Sequence, residues 1–131
     1  MVINNNAFYD CKYLKTVTIT DTTSSPSVLR EIKGSAFSDC IRLTTITLPN
    51  SLELLEEHAF SGTTALTKIN IPTSLTMIQA RVFESSGLTS VTGKTSGWYA
   101  CQGDSYDNPT TKVSKTINYS TLKQNYFWIY G

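Results

Sequence analysis

The sequence predicts an α/β-type solenoid, with a short parallel sheet on one face, short helical or 3-10 turns opposite, and an irregular or β C-terminal cap. Three observations support this prediction: an internal repeat, strand-like alternation inside each repeat, and a change of composition after residue 93. Residues 1–93 are therefore assigned to a solenoid of about four coils, and residues 94–131 to an aromatic-rich cap.

A repeat of apolar residues organises the first 93 residues. Each unit contains an Ala-Phe or Val-Phe pair, and the four phenylalanines are separated by 29, 23 and 23 residues: Phe8, Phe37, Phe60 and Phe83. Five residues before each phenylalanine stand Ile3, Ile32, Leu55 and Ile78. One such unit cannot bury its own apolar columns, so the units are expected to stack on one another.

Each unit contains one segment that alternates apolar and polar residues. The segments "LKTVTIT", "LTTITLP" and "LTKINIP" are rich in Thr, Val and Ile, which is typical of a half-buried strand. Pro49 and Pro72 end two of these strands, because proline has no amide donor. Stacked at about 4.8 Å, the strands predict a parallel sheet. The first unit is longer, which predicts an outward loop near residues 20–28.

The Ala-Phe segments are expected on the opposite side of the coil, as a turn or short helix with the Phe ring in the middle. His58 shares its column with Asn6, Ser35 and Arg81, all polar, so we expect it to be exposed on this outer turn. Cys11 and Cys40 also share a column. Neighbouring coils at about 4.8 Å do not suit a disulfide, so the two thiols are predicted to be small buried groups, and Cys101 has no evident partner.

Composition argues against several functions. The chain has 131 residues, net charge +1 and only 16% charged residues, without the basic stripe that nucleic-acid binding requires. No apolar run is long enough to span a membrane. With one His, no C-x-x-C pair and no catalytic motif, we expect no enzyme activity, metal site or cofactor. The acidic run Glu53, Glu56 and Glu57 is interpreted as a solvated edge.

The unit "LREIKGSAFSDCIRLTTITLPNSL" resembles the BspA-type (Treponema-type) bacterial leucine-rich repeat, and the resemblance covers residues 3 to 93. It implies a secreted or surface-exposed protein of a bacterium or protist that binds host molecules or other cells and has no catalytic activity. The last repeat departs from the pattern: it is one residue shorter after Phe83, and "VTGK" replaces Ile-Pro. We therefore expect the solenoid to stop there.

The polar residues between the inward strand positions are the first candidate binding site. They form two outward ladders, one of Thr16, Thr45, Lys68 and Ser90, the other of Thr18, Thr47, Asn70 and Thr92. One interpretation is that Thr is simply a good exposed strand residue. The other is a flat recognition surface for a protein partner on host matrix or another cell.

The tail contains both tryptophans and five of the seven tyrosines. The main interpretation is a cap that covers the apolar end and open strand edge of the last coil. The alternative is an aromatic platform for sugar rings, made of Trp98, Tyr99, Tyr126 and Trp128.

The chain begins halfway through a repeat, so we expect a fragment whose upstream repeats, signal and anchor are absent. The predicted function is an adhesin-like interaction module, extracellular or on the cell surface. A structural spacer that holds another domain away from the cell is the alternative. Binding to ice, suggested by the Thr-x-Thr segments, ranks below both because Lys68 and Asn70 interrupt the array.

Overall fold

The computed structural model describes all 131 residues, which form eleven strands and one short helix. The elements in chain order are β1 (Val2–Ile3), β2 (Thr16–Val17), β3 (Glu31–Ile32), β4 (Thr45–Ile46), β5 (Leu54–Leu55), β6 (Lys68–Ile71), β7 (Met77–Ile78), β8 (Ser90–Gly93), β9 (Trp98–Gln102), β10 (Thr111–Lys115), α1 (Tyr119–Leu122) and β11 (Phe127–Tyr130). We number the coils 1 to 4 after Phe8, Phe37, Phe60 and Phe83.

The largest sheet has seven strands in the order β1-β3-β5-β7-β11-β9-β10. Its first four strands are parallel and place the apolar column of Ile3, Ile32, Leu55 and Ile78 in register. This sheet was not predicted, because each coil contributes only two residues to it and two residues show no alternation.

The strands that were predicted, β2, β4, β6 and β8, lie on another side of the coils. They pair in parallel as β2-β4 and β6-β8, and no backbone hydrogen bond joins β4 to β6. The predicted parallel pairing is present, but the prediction of one continuous sheet on a single face is wrong.

The Ala-Phe segments form turns and no helix, so the predicted turn is confirmed and its alternative, a short helical or 3-10 segment, is wrong. Each segment is a run of turns in which two residues have positive φ, such as Ser35 (57°) and Asp39 (58°) in coil 2. The residues with positive φ interrupt any helix. Every second backbone N–H of the segment then donates to a carbonyl oxygen of the next coil. Phe37 N donates to Ala59 O at 2.8 Å, for example. We call these hydrogen-bonded segments, residues 4–11, 33–40, 56–63 and 79–86, the turn ladder.

The phenylalanines stack through the middle of the turn ladder, as predicted from the sequence. Ring centroids are 5.1, 5.2 and 5.6 Å apart along the series, and the planes are nearly parallel. The rings of coils 2 to 4 are fully buried, whereas Phe8 is 40% exposed because coil 1 has a neighbour on one side only. Burial of one such ring contributes about 1.5–3 kcal/mol.

The aromatic-rich tail covers the other end of the stack. Strand β11 pairs antiparallel with β7 and with β9, so the tail continues the seven-stranded sheet and closes the edge of the last coil. The short helix α1 begins at Asn118, whose side chain accepts from Thr121 N while the Thr121 hydroxyl accepts from Asn118 N. This capping box orients Leu122, which is buried in the core.

The loop at residues 20–28 bulges outward and is largely exposed, as expected for an insertion between coils. Asp21 holds this loop against coil 2 by hydrogen bonds. One carboxylate oxygen accepts from Ser27 N (3.1 Å) within the loop, and the other accepts from Asn50 N (2.9 Å) in coil 2. These two amide bonds lower the pKa of Asp21.

Candidate functional site

The polar side chains predicted to face outward from β2, β4, β6 and β8 do share one surface, which we call the polar sheet face. Seven of the eight are exposed and Ser90 is half-buried: Thr16, Thr18, Thr45, Thr47, Lys68, Asn70 and Thr92 are the exposed ones. The apolar residues between them, including Ile46 and Ile69, are buried. The alternation of the strands therefore positions the polar side chains, while their role in binding stays a prediction.

A cleft of about 290 Å³ opens in this face where β4 and β6 fail to pair. Coils 2 and 3 contact each other on both sides of this cleft. On one side the Thr64 hydroxyl lies 3.5 Å from Ile41 O, and on the other Thr73 N donates to Asn50 Oδ1 (3.3 Å). The residues that line this coil cleft are Thr44, Thr45, Ile46, Thr47, Thr67, Lys68, Ile69, Asn70, Ser90 and Thr92.

Backbone groups at the coil cleft lack the partners that they have at the other junctions. Between coils 1 and 2, Thr44 N donates to Lys15 O (2.9 Å), and between coils 3 and 4, Thr89 N donates to Thr67 O (2.9 Å). The corresponding groups of coils 2 and 3 are Thr44 O and Thr67 N, and neither makes a hydrogen bond. The coil cleft therefore offers a free acceptor and a free donor.

Charge is segregated around the coils, a feature that the small net charge conceals. The segments that carry the polar sheet face, residues 12–20, 41–50, 64–73 and 87–95, contain five basic residues and no acidic one. The basic residues are Lys12, Lys15, Arg42, Lys68 and Lys94. The other solenoid segments hold eight acidic residues against three basic ones. Counting charges by column, rather than over the whole chain, would have found this signal in the sequence.

Three of the five basic side chains already interact with another group of the chain. Lys12 Nζ lies 3.9 Å from the Asp10 carboxylate, and Arg42 stacks on the Tyr13 ring at 5.2 Å. The Lys94 ammonium donates to Thr73 O (2.8 Å), and partial burial lowers its pKa. Lys68, which lines the coil cleft, has no carboxylate within ion-pair distance and no hydrogen-bond partner.

The hypothesis of an aromatic platform for sugars required exposed tryptophans, and both tryptophans are buried. Trp98 is fully buried and Trp128 is 1% exposed, because both indoles pack under the last coil. Trp98 Nε1 donates to Lys94 O (2.8 Å), which satisfies its polar atom inside the protein. Tyr99 and Tyr126 are half-buried, and Tyr126 packs edge-on against Trp128, so the four rings present no flat exposed surface.

A second, polar pocket of about 470 Å³ lies between coil 4 and the cap. Its lining residues are Glu57, Ala80, Arg81, Cys101, Gln102, Gly103, Asp104, Tyr106, Asn125 and Phe127. The Tyr106 hydroxyl donates to the Glu57 carboxylate across one end of the pocket. Burial, followed by this bond to Glu57, raises the pKa of Tyr106 to about 12.

Two of the three acidic residues of the run, Glu53 and Glu57, are exposed as interpreted from the sequence, whereas Glu56 is half-buried. Glu56 Oε2 accepts from Gly34 N (3.0 Å), Glu57 accepts from the Tyr106 hydroxyl, and Glu53 lies 3.6 Å from Arg30 Nε. His58 is half-buried rather than exposed, and its Nδ1 lies 3.8 Å from Glu84 Oε2.

The cysteines are all free thiols. Cys40 is buried and its Sγ donates to Phe8 O (3.0 Å), so the thiol closes the turn between two coils as predicted. Cys11 is half-buried. Cys101 is fully buried on β9, and burial raises the pKa of both Cys40 and Cys101.

Stacked coils joined by parallel strand pairs, with a polar face and a closing cap, define a solenoid-type repeat protein. The chain belongs to the BspA type leucine-rich repeat family: residues 1–108 match that repeat region in six copies. The match thus covers most of the chain and runs past residue 93 into the cap. Repeats of this family generally mediate protein interactions, and its members are typically surface or secreted proteins.

A comparison with curated proteins found no match, and a comparison with solved structures found none either. The chain contains no helix with the length and apolar character that crossing a bilayer requires.

Proposed function

We propose that this chain is a non-enzymatic, adhesin-like module, secreted or displayed at the cell surface, that binds a protein on host matrix or another cell through the polar sheet face. The observation that carries the proposal is the exposure of two polar ladders beside a cleft in the same face. Leucine-rich repeats of this family generally act through protein contacts, which supports the same assignment.

The size of the face suits a modest affinity. A standard interface buries ~800 Å² per partner, and the four strands of this face are only two to four residues long. Any binding energy must therefore come from a few contacts at the centre of the face rather than from its area. The coil cleft lies at that centre, between the β2-β4 pair and the β6-β8 pair.

The test uses two double variants of the whole chain. Thr47→Glu/Asn70→Glu places bulk and negative charge on the polar sheet face, while Thr111→Glu/Ser114→Glu makes the same change on the exposed strand β10 of the cap, where neither side chain makes a hydrogen bond. Circular dichroism melting checks that both variants are folded. Binding of each protein to a panel of matrix proteins, mucins and epithelial cells is then measured.

We expect saturable binding by the unmodified chain and by the β10 variant, and at least a tenfold loss with the polar-face variant. Binding that survives the polar-face change would remove the face from the proposal. If the unmodified chain binds nothing in the panel, the structural spacer becomes the better assignment.

A further inference from the structure

We infer that the partner presents an acidic, extended peptide segment, which lies in the coil cleft with a carboxylate on Lys68. This inference rests on the proposed function and names the chemistry of the partner. It follows from two independent features of the polar sheet face: the sign of its charge and the free backbone groups at the cleft.

The first feature is the one-sided charge. No acidic residue occurs in the four segments that carry the face, so a basic partner would meet no complementary charge there. Complementary charge steers association and disfavours wrong partners. Lys68 is the basic residue that lines the cleft, and since no carboxylate of the chain neutralises it, it is available for one from outside.

The second feature is the pair of unpaired backbone groups, Thr44 O and Thr67 N, on the two sides of the cleft. A peptide in extended form carries donors and acceptors in alternation and adds to strand edges of this kind. A sulfated glycan supplies many acceptors and negative charges, but it lacks the regular amide donors. The backbone groups therefore favour a peptide.

The spacing of the basic residues supports the same choice. Five basic residues are spread over four coils, and three are already engaged by Asp10, Tyr13 and Thr73. A polyanion needs a dense row of basic groups. Lys15 and Lys68 remain, and only Lys68 lines the coil cleft. This lysine lies beside threonine hydroxyls and the Asn70 amide, which is itself held by a 2.8 Å bond to Thr92 Oγ1, and it suits a single carboxylate better.

The experiment titrates the isotopically labelled whole chain with three blocked eight-residue peptides and follows its backbone amides by NMR. The peptides alternate Thr with Glu, with Gln or with Lys. We expect the Thr-Glu peptide to shift the amides of Thr67 and Lys68 and to slow hydrogen exchange at Thr67, with about tenfold weaker binding of the Thr-Gln peptide and none of the Thr-Lys peptide. Raising the salt concentration should weaken binding of the acidic peptide.

Lys68→Gln removes the charge and leaves a polar side chain that is one atom shorter. We expect about tenfold weaker binding of the Thr-Glu peptide to this variant. The matched control is Lys33→Gln, which removes a lysine beside Glu31 (3.9 Å) outside the polar sheet face and should leave the affinity unchanged. Equal affinity of the Thr-Glu and Thr-Gln peptides, or equal losses in the two variants, would overturn the inference.

Two further outcomes separate this inference from the proposed function. Cell or matrix binding that is lost with Thr47→Glu/Asn70→Glu, while no acidic peptide shifts the cleft amides, would overturn the acidic segment and leave the proposed function standing. A sulfated oligosaccharide that shifts Thr67 and Lys68 when the Thr-Glu peptide does not would overturn the choice of a peptide partner.

Discussion

The hydroxyl of Tyr106 in the cap donates a hydrogen bond to the carboxylate of Glu57 in coil 3, so the cap reaches past the last coil. The same oxygen lies 3.5 Å from Ala80 N, which belongs to coil 4. The phenol ring also packs edge-on against Phe127 of β11, with centroids 4.8 Å apart. One side chain therefore joins the cap to the last two coils.

Removal of the Tyr106 hydroxyl should loosen this junction. We predict that Tyr106→Phe lowers the free energy of unfolding by about 1 kcal/mol, because a hydrogen bond to a charged group is lost at a half-exposed site while the ring packing is kept. Urea unfolding of both proteins measures the difference. An unchanged midpoint would show that the bond to Glu57 contributes nothing, and Tyr99→Phe, in which no hydroxyl bond is lost, is the control.

The same hydroxyl predicts instability in alkali. The pKa of Tyr106 is raised from 10.0 to about 12 in the folded chain, so its contribution is fully present below pH 10 and is lost as the pH rises through about 12. We expect the unfolding midpoint to fall over this interval and to fall less in Tyr106→Phe. Parallel pH dependence of the two proteins would contradict the assignment.

Protonation of Asp21 at low pH should remove the contribution that its carboxylate makes to stability. Since its pKa is lowered by the amides of Ser27 and Asn50, the contribution of the carboxylate is present above pH 3.8 and is lost as the pH falls through the lower folded-state value. NMR titration should show the amides of Ser27 and Asn50 moving together below pH 3.8. Asp21→Asn should abolish this titration, and an Asn50 amide that titrates unchanged in the variant would refute the link.

The phenylalanine stack predicts different costs for the same substitution at its middle and its end. Phe60→Ala should lower the free energy of unfolding by about 3–5 kcal/mol, because the fully buried ring packs between Phe37 and Phe83. Phe8→Ala should cost less than half as much, since that ring is 40% exposed and has one stacked neighbour. Calorimetry would compare the two, and equal losses would contradict the described burial.

At the positive φ positions of the turn ladder, adding a side chain to glycine and replacing a side chain by glycine should change the free energy of unfolding in opposite directions. Gly62 has φ of 72°, and an added Cβ would lie 2.2 Å from Asp39 Oδ1, so Gly62→Ala should lower the free energy of unfolding by about 1–2 kcal/mol. Ser85 occupies the same position of coil 4 at φ 57°. Ser85→Gly removes the strain, and we expect a gain of up to about 1 kcal/mol, which thermal unfolding would detect.

Sequence periodicity predicted the elements that repeat along one coil. The apolar columns, the alternating strands, the stacked phenylalanines and the outward loop after residue 19 each leave a pattern of side chains that can be read at fixed spacing. The polar ladders were predicted for the same reason, because strand alternation decides which side chain faces outward.

Several features gave no such pattern. Strands β1, β3, β5 and β7 are two residues long, too short to alternate. The turn ladder also depends on positive φ at Ser35, Arg81 and Ser85, residue types that have no preference for this conformation. For the two tryptophans the sequence favoured a cap but left a sugar platform open as the alternative, because an indole suits either environment.

The sequence by itself determined the repeat, its family and the order of residues along each coil, because these are local properties of the chain. Tertiary structure alone decided how the coils meet: that β4 and β6 separate into a cleft, that Tyr106 reaches Glu57, and that Lys68 is left without a partner. Such relations join residues more than twenty positions apart. They depend on the relative placement of whole coils, which the spacing of side chains within one coil does not specify.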